Sequence, residues 1–456
     1  MSHVSLANLF TTDRVPSTPV AERDGTRVDL AQFTADVAAM CTDVQQAAAR
    51  TVGMLADDAY GFAVGTFGSL HAGARVVVPP NLLPDTIATI AGHVDLMIGA
   101  PTSDAIARCL PVRRGSPARA SLAALDPRQA VIEFFTSGST GAPKRIAKPL
   151  HEVDHDLALF DRAWGAELAG RMTYSTVPFR HFFGMTFHVL WPLAAGRPFS
   201  ITVDDYWETL LAQPVGGAIL VTSPGHLMRL SGLPALPPQR RFARIYEGGA
   251  PLAQPAVQET RKILGAWPTE MLGSTETGPM ATRQQRSERE PWTPIAGLRI
   301  AVNDDGCAVV HWPDRPDMPP FETADRIELL ADGRFHLLGR ADLIVKIEGK
   351  RVSLPEVEAA LQRLDLVAEA SVTDLQGEPT RLGGVVVLTE AGRTKLAEIG
   401  AFRLGRLLRR ELAPTLEAAA QPKIWRFVAA LPKRALGKRD NVALRVLFAR
   451  RVSRAA

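Results

Sequence analysis

Up to about residue 130 the chain alternates two textures that argue for layered α/β structure. Helical stretches such as DLAQFTADVAAMCTDVQQAAARTVGML are interleaved with short apolar runs such as GARVVVPPN. AVIEFF then predicts a buried strand, and it feeds directly into FFTSGSTGAPK, Phe134 to Lys144. That loop sets two Ser/Thr pairs around Gly138 and Gly141 and ends on a proline and a lysine. Small hydroxyl residues and glycines let several backbone N–H groups turn toward one point, an arrangement suited to a phosphate chain. Lys144 adds a mobile positive charge.

Beyond the loop, LHEVDHDLALFDRAWG places Leu150, Val153, Leu157, Phe160 and Trp164 on one helical face. Strand-like runs recur at MTYSTVPF, GAILVTSP and ARIYEGG, separated by Pro- and Gly-rich turns. Near Leu298 the texture changes to short β-rich stretches, LRIAV, CAVVHW and RIELLADGRFHLLG, which predict an antiparallel sheet. From ADLIVKIEGKRVSLPEVEAALQRL a hairpin should lead to a helix, with Ser353 as N-cap, Pro355 in the first turn and Glu356 three residues after the cap. A small α+β domain should start at about Asp342. The 456 residues are enough for two or three domains with a substantial core.

Charge is unevenly spread. Residues 401–456 hold fourteen Lys/Arg against Glu411, Glu417 and Asp440, a net of +11, so the rest of the chain carries −7 of the overall +4. The overall value implies no nucleic acid, whereas the basic C-terminal end favours an anionic partner. Cys41, Cys109 and Cys307 form no CxxC pair, which argues against a disulfide framework or a cysteine metal site. The N-terminal stretch has no charged-then-apolar leader, and no apolar run approaches bilayer length. These features predict a soluble, cytoplasmic protein.

The opening loop is not a Walker P-loop, because GSTGAPK lacks the G-x-x-x-x-G-K-[ST] spacing, and no G-x-G-x-x-G surrounds it. A second cluster reads MLGSTETG, a third ETADRIELL followed by LLGRADLIVKIEGKRVSLPEVE, and a fourth LPKRALGKRDNVAL. Each alone could be a solvated loop, a capped helix or a basic surface run. Four in this order form a joint signal.

With these motifs the sequence resembles the adenylate-forming superfamily of acyl-CoA synthetases, peptide-synthetase adenylation domains and luciferases, from about Gly73 to about Leu444. The resemblance implies a large N-terminal domain of layered α/β subdomains plus a small β-rich subdomain, residues 1–341. A small, mobile α+β C-terminal domain, 342–456, would follow a hinge at Asp342. It implies two half-reactions: a carboxylate attacks the α-phosphate of Mg-ATP to give acyl-AMP and pyrophosphate, and a thiol then takes the acyl group. Thr136, Ser137, Gly138, Ser139, Thr140, Gly141 and Lys144 would hold the β- and γ-phosphates. Gly248, Gly249 and Ala250 would approach adenine beside Leu272, Gly273 and Ser274. Thr275 would bond the α-phosphate and Glu276 would hold Mg2+, for which a carboxylate is a suitable hard ligand. Asp325 and Arg340 would hold the ribose, and Lys438 would bridge carboxylate and α-phosphate during adenylation. Lys346, Gly349 and Lys350 would form the pantetheine tunnel.

Leu272 stands where the family usually has an aromatic residue, and the family's T-G-D is here Thr323-Ala324-Asp325. The pocket segment PFRHFFGMTFHVLWPLAAG has no acidic residue, so an amino-acid ammonium would lack its partner. His181, which matches an aromatic gate of the family, and Phe182, Phe183, Gly184 and Met185 instead suggest an apolar or aromatic acyl group. The resemblance thus implies an aryl- or fatty-acid-activating ligase whose acceptor is the phosphopantetheine thiol of an acyl carrier protein or of CoA; the basic C-terminal domain suits either, and its size tips toward the carrier. The competing readings are a binding module that has lost catalysis and a zinc hydrolase built on the H-E-x-x-H match His151 to His155. Lys144, Glu276, Asp325, Arg340 and Lys438 argue against the first. The absence of a convincing third ligand argues against the second.

Overall fold

The computed structural model describes residues 3–100, 108–116, 121–137, 143–287, 289–347, 350–375, 381–432 and 440–449. The chain divides into two compact units, Met1–Leu298 and Arg299–Ala456.

The first unit contains two sheets. One orders its strands Cys109–Leu110, Leu96–Gly99, Thr51–Leu55, Arg75–Val78, Val131–Ser137, Pro143–Pro149, all parallel except the last pair. The larger has a parallel centre of Pro268–Ser274, Arg244–Gly248, Ile219–Thr222, Thr173–Ser175, Phe199–Ser200 and Pro19–Arg23. Antiparallel strands flank it, Gly278–Arg283 and Thr293–Pro294 on one side and Thr26–Asp29 on the other. Parallel strands are buried on both faces, which explains why GAILV reads as a continuous apolar run rather than an alternating one.

The expected helical stretch from Asp29 to Leu55 is shorter than its sequence suggests. The helix is Leu30–Gln46, with Asp29 accepting from Gln32 N at 2.9 Å as N-cap. Ala48 then turns through φ 51°, and Thr51–Leu55 form a central strand. Thr, Val, Met and Leu in that apolar run suit a doubly covered strand. The helix Ala59–His71, capped by Asp58, packs on Leu30–Gln46 through Gly68, where an added Cβ would lie 2.6 Å from Met40 Cβ.

In the second unit, Arg299–Val302, Cys307–His311, Phe321–Leu329 and Phe335–Arg340 form an antiparallel sheet. The short 3-10 turn Ala341–Leu343 containing Asp342 follows, then the expected hairpin Ile344–Ile347 with Lys350–Ser353. Ser353 does cap the helix Leu354–Gln362, accepting from Glu356 N. Val367–Leu375, Arg381–Leu388 and Ile424–Phe427 make a further sheet whose core includes Val357, Leu361, Val372, Val386, Leu404 and Leu408. The architecture is mixed α/β with a smaller C-terminal part. Among the described residues no helix is long and apolar enough to cross a membrane, and the three cysteines are free.

Gly68→Val should destabilise the protein by about 1–3 kcal/mol through overpacking against Met40. A lowered guanidinium midpoint with unchanged slope would report it.

Candidate active site

The strand Val131–Ser137 enters the phosphate-loop segment and Pro143–Pro149 leaves it as an antiparallel partner. Their register sets Thr136 opposite Lys144 and Ser137 opposite Pro143. Residues 138–142, with Gly138, Ser139, Thr140 and Gly141, lie outside the described residues, as do the side chains of Thr136, Ser137 and Lys144. The entering strand is clamped by Glu133, 4% exposed, which pairs with Arg75 at 2.9 Å and with Arg145 across the hairpin. An acid inside the apolar AVIEFF run was the sequence signal for this clamp.

The second motif is the turn between Pro268–Ser274 and Gly278–Arg283. Ser274 and Thr277 close it with reciprocal bonds: Ser274 N donates to Thr277 Oγ1 at 3.1 Å, and Thr277 N donates to Ser274 Oγ at 3.2 Å. Gly278 has φ 68°, and a Cβ there would sit 2.3 Å from Asp156 Oδ2 on the helix Leu150–Phe160. Thr275 and Glu276 stand half-buried at the tip, and Leu272 is half-buried just before Gly273.

Lys148, which sequence reasoning did not single out, joins the two motifs. Its Nζ donates to the backbone carbonyl of Glu276 at 2.6 Å, lies 3.2 Å from Glu152 Oε2, and sits 5.9 Å from the Phe182 ring centroid. The residue is 4% exposed. Strand alternation puts Lys148 on the inward face with buried Ile146, and a cation at an inward strand position was the available signal.

The pocket segment reaches the same region. Phe182 packs edge-on to Phe134 at 5.4 Å, and Phe183 lies against Phe187 at 4.9 Å with the rings tilted by 39°. Phe183 Cε2 would lie 3.3 Å from a Cβ at Gly248, so glycine there is what admits the ring. Phe182, Gly184 and Met185 are buried, while His181 and Phe183 are half-exposed. Gly249 is exposed and Ala250 half-buried at the end of the strand Arg244–Gly248.

Directly before these glycines lies Glu247, 1% exposed and register-paired with Glu270, 2% exposed. Arg283 grips Glu270 with Nε at 3.0 Å and Nη2 at 2.7 Å. Burial pushes the Glu247 carboxyl well above the usual carboxylate range, Glu270 adds to the push, and Arg283 partly opposes it.

In the second unit Asp325 and Arg340 are Cα partners on adjacent strands, with Arg340 Nη1 3.4 Å from Asp325 Oδ1. Thr323 Oγ1 accepts from Asp325 N at 3.1 Å and donates to Ala308 O at 2.9 Å. Ala324 has no positive φ, so the family's glycine is not required there. Lys438, Gly349 and the side chains of Asp342, Lys346 and Lys350 lie outside the described residues.

The H-E-x-x-H match falls on the helix Leu150–Phe160. His151 Nδ1 lies 3.3 Å from Pro127 O, and His155 Nδ1 lies 3.7 Å from Asp156 Oδ1. Among the described residues no group of three His, Cys, Asp or Glu is placed to hold a metal.

The family model described as AMP-binding enzyme matches residues 23–314, more than half of the chain. The chain belongs to the AMP-binding enzyme family. It is thus a member of the adenylate-forming superfamily, as its motifs suggested, and this membership supports acid–thiol ligase chemistry of the AMP-forming type. Among curated members, 4-coumarate–CoA ligase of Rhodobacter capsulatus is 31% identical over 315 residues, covering 67% of this chain and 73% of that protein. The isonitrile lipopeptide synthase of Streptomyces coeruleorubidus is 27% identical over 353 residues, 68% of this chain but 23% of that protein. The fold matches ATP-bound MatB from Rhodopseudomonas palustris with a TM-score of 0.81 at 17% identity, over 98% of this chain and 99% of that one. The anthranilate CoA ligase AuaEII in complex with anthranoyl-AMP gives 0.76 at 16% identity, over 98% and 97%. At these identities the likeness is one of fold.

Two outcomes test the site. Lys148→Met should lower carboxylate-dependent pyrophosphate exchange at least about tenfold and cost about 1–3 kcal/mol, because the Glu276 carbonyl is left without its donor. Exchange at the wild-type rate would show that Lys148 does not position the Glu276 turn. For Glu247 the raised folded value means the folded state keeps a proton that the unfolded chain releases above its ordinary pKa of 4.5, so this group's contribution to stability falls as pH rises from there. Glu247→Gln should therefore gain stability relative to wild type as pH rises above that ordinary value in denaturant titrations, and parallel pH profiles would exclude a raised Glu247 carboxyl.

Proposed function

We propose that this protein activates an aryl or fatty carboxylic acid with ATP, releasing pyrophosphate, and passes the acyl group to the pantetheine thiol of an acyl carrier protein. The observation that carries the reading is the convergence in the first unit. The hairpin that pairs Thr136 with Lys144 is tied through Lys148 to the Thr275–Glu276 turn, and Phe183 reaches Gly248. Backbone amides and Lys144 would neutralise the departing pyrophosphate, which is where negative charge develops. The half-buried Glu276, at the tip of a turn fixed by Ser274, Thr277 and Lys148, fits a hard divalent cation. Mg2+ held by Glu276 would supply further charge neutralisation at the phosphates. Asp325, with Arg340 opposite it, offers a carboxylate to a ribose diol.

Two half-exposed side chains, His181 and Phe183, and Phe187 packed against Phe183 favour a flat aromatic acid over a long chain. No carboxylate is available to an α-ammonium from the pocket segment. Glu247 does not supply one, because strand alternation turns it away from the Tyr246 face that Phe187 packs on. We assign residues 1–341 to the nucleotide and acyl sites and 342–456, beginning at Asp342, to a mobile domain bringing Lys438 for adenylation and Lys346, Gly349 and Lys350 for thioester formation. The second reading, transfer to free CoA, is favoured by the similarity to 4-coumarate–CoA ligase. The net charge of +11 over residues 401–456 suits the carrier protein, whose surface presents an acidic helix.

Pyrophosphate exchange across a panel of aryl and fatty acids tests the first half-reaction, and adding CoA or holo carrier protein tests the acceptor. If none of the acids supports exchange, the proposal is refuted. Lys438→Ala should lose about a hundredfold in exchange, the scale expected for removing a group that stabilises developing charge. Thioester formation from preformed acyl-adenylate should change far less.

A further inference from the structure

The long helix Glu390–Leu412 is broken at Gly400, whose φ and ψ of 76° and 162° are non-helical. Its second half packs through Leu404, Leu408 and Leu412, all fully buried, and through Gly405, where an added Cβ would lie 2.5 Å from Trp425. At 100° per residue the opposite face is made by Phe402, Arg403, Arg406 and Arg410, within an arc of about 100°. Phe402 is 78% exposed, and the three arginines are exposed.

Several other cations of the unit are engaged. Arg445 pairs with Asp374, Lys395 with Glu398 and Arg334 with Asp332, while Arg426 donates to Leu447 O and Trp425 O. Arg403, Arg406 and Arg410 pair with no carboxylate among the described residues. Three unspent guanidiniums beside one exposed aromatic ring combine the charge that selects an acidic surface with the kind of anchor that concentrates binding energy.

We infer that the face Phe402–Arg403–Arg406–Arg410 docks the acidic helix of the carrier protein, an inference that rests on the carrier reading above. From Arg403 to Arg410 the helix rises about 10 Å, two turns, which matches carboxylates spaced three and four residues apart on a partner helix laid alongside. Guanidinium forks engage such carboxylates bidentately, and Phe402 fills an apolar depression between them. A bilayer fits less well. An interfacial helix needs a broad apolar face, and this exposed face has a single large apolar side chain.

The test compares wild type with Arg403→Glu/Arg406→Glu/Arg410→Glu and with Phe402→Ser, using a panel of holo acyl carrier proteins, free CoA, and vesicles of phosphatidylcholine and phosphatidylglycerol. Pyrophosphate exchange should be unchanged in both variants, which also reports intact folding. The KM for holo carrier protein should rise on the order of tenfold or more in the triple variant, with loss of the salt dependence that wild type shows. Transfer from either variant to free CoA should stay at the wild-type level. If wild type loads carrier protein and the triple variant loads it equally well, the docking face is wrong while the carrier reading stands. If wild type loads CoA and no carrier protein, both fall. If wild type sediments with the anionic vesicles and the variants do not, while carrier loading is unaffected, the face belongs to a lipid surface and the inference is overturned.

Discussion

The geometry of the first unit's site turns on one buried cation. Removing an ammonium from water costs several kcal/mol unless its donors find partners. Lys148 finds them in the Glu152 carboxylate one helical turn on and in the Glu276 carbonyl, with the face of Phe182 beside it. Each partner belongs to a different segment: the helix after the phosphate hairpin, the Thr275–Glu276 turn, and the pocket helix. Displacing any of them would strand a charge, so the same interaction that satisfies Lys148 fixes the three relative to one another. The strand that carries it runs directly on from Lys144, four residues earlier, and position along that strand is stiff.

The strand Arg244–Gly248 shows how tightly the surroundings commit successive residues. Ile245 faces an apolar core with Leu220, Leu252 and Leu264. Tyr246 turns the other way, into rings of Trp164, Phe187 and Trp191. Glu247 returns to the first face and meets Glu270, which Arg283 already occupies. Gly248 then leaves room for Phe183. The residues leading to the glycines are held by burial on alternate faces, which fixes the strand against rotation.

Much of this was legible in the sequence, for physical reasons that also mark the limit. GAILV was readable because doubly buried strands are continuously apolar, AVIEFF and ARIYEGG because short, largely apolar runs bounded by turn residues read as strands, and Ser353 because a capping box is local chemistry. The end of the first helix at Gln46 was not, since Ala47, Ala48 and Ala49 carry no stop signal and only tertiary pairing made Thr51–Leu55 a strand. Strand order was equally hidden, as it depends on contacts between distant segments. Lys148 and Glu133 looked like ordinary charges in the sequence. Their roles appear only once Glu276, 128 residues away, and Arg75, 58 residues away, are beside them. The motif residues were recognised as a joint pattern, and the structure adds the register that sets Thr136 opposite Lys144 and Asp325 opposite Arg340.

The Asp325–Arg340 pair illustrates why such register matters more than the pair's own energy. With the Arg340 side chain 48% exposed and a separation of 3.4 Å, the ion pair adds little to stability, because solvent screens it. A tightly satisfied, buried pair would resist a ligand, since each hydroxyl would have to displace a strong contact. Here the strands hold the carboxylate and guanidinium opposite each other, and Thr323 accepts from the Asp325 amide. What the antiparallel sheet contributes is therefore position.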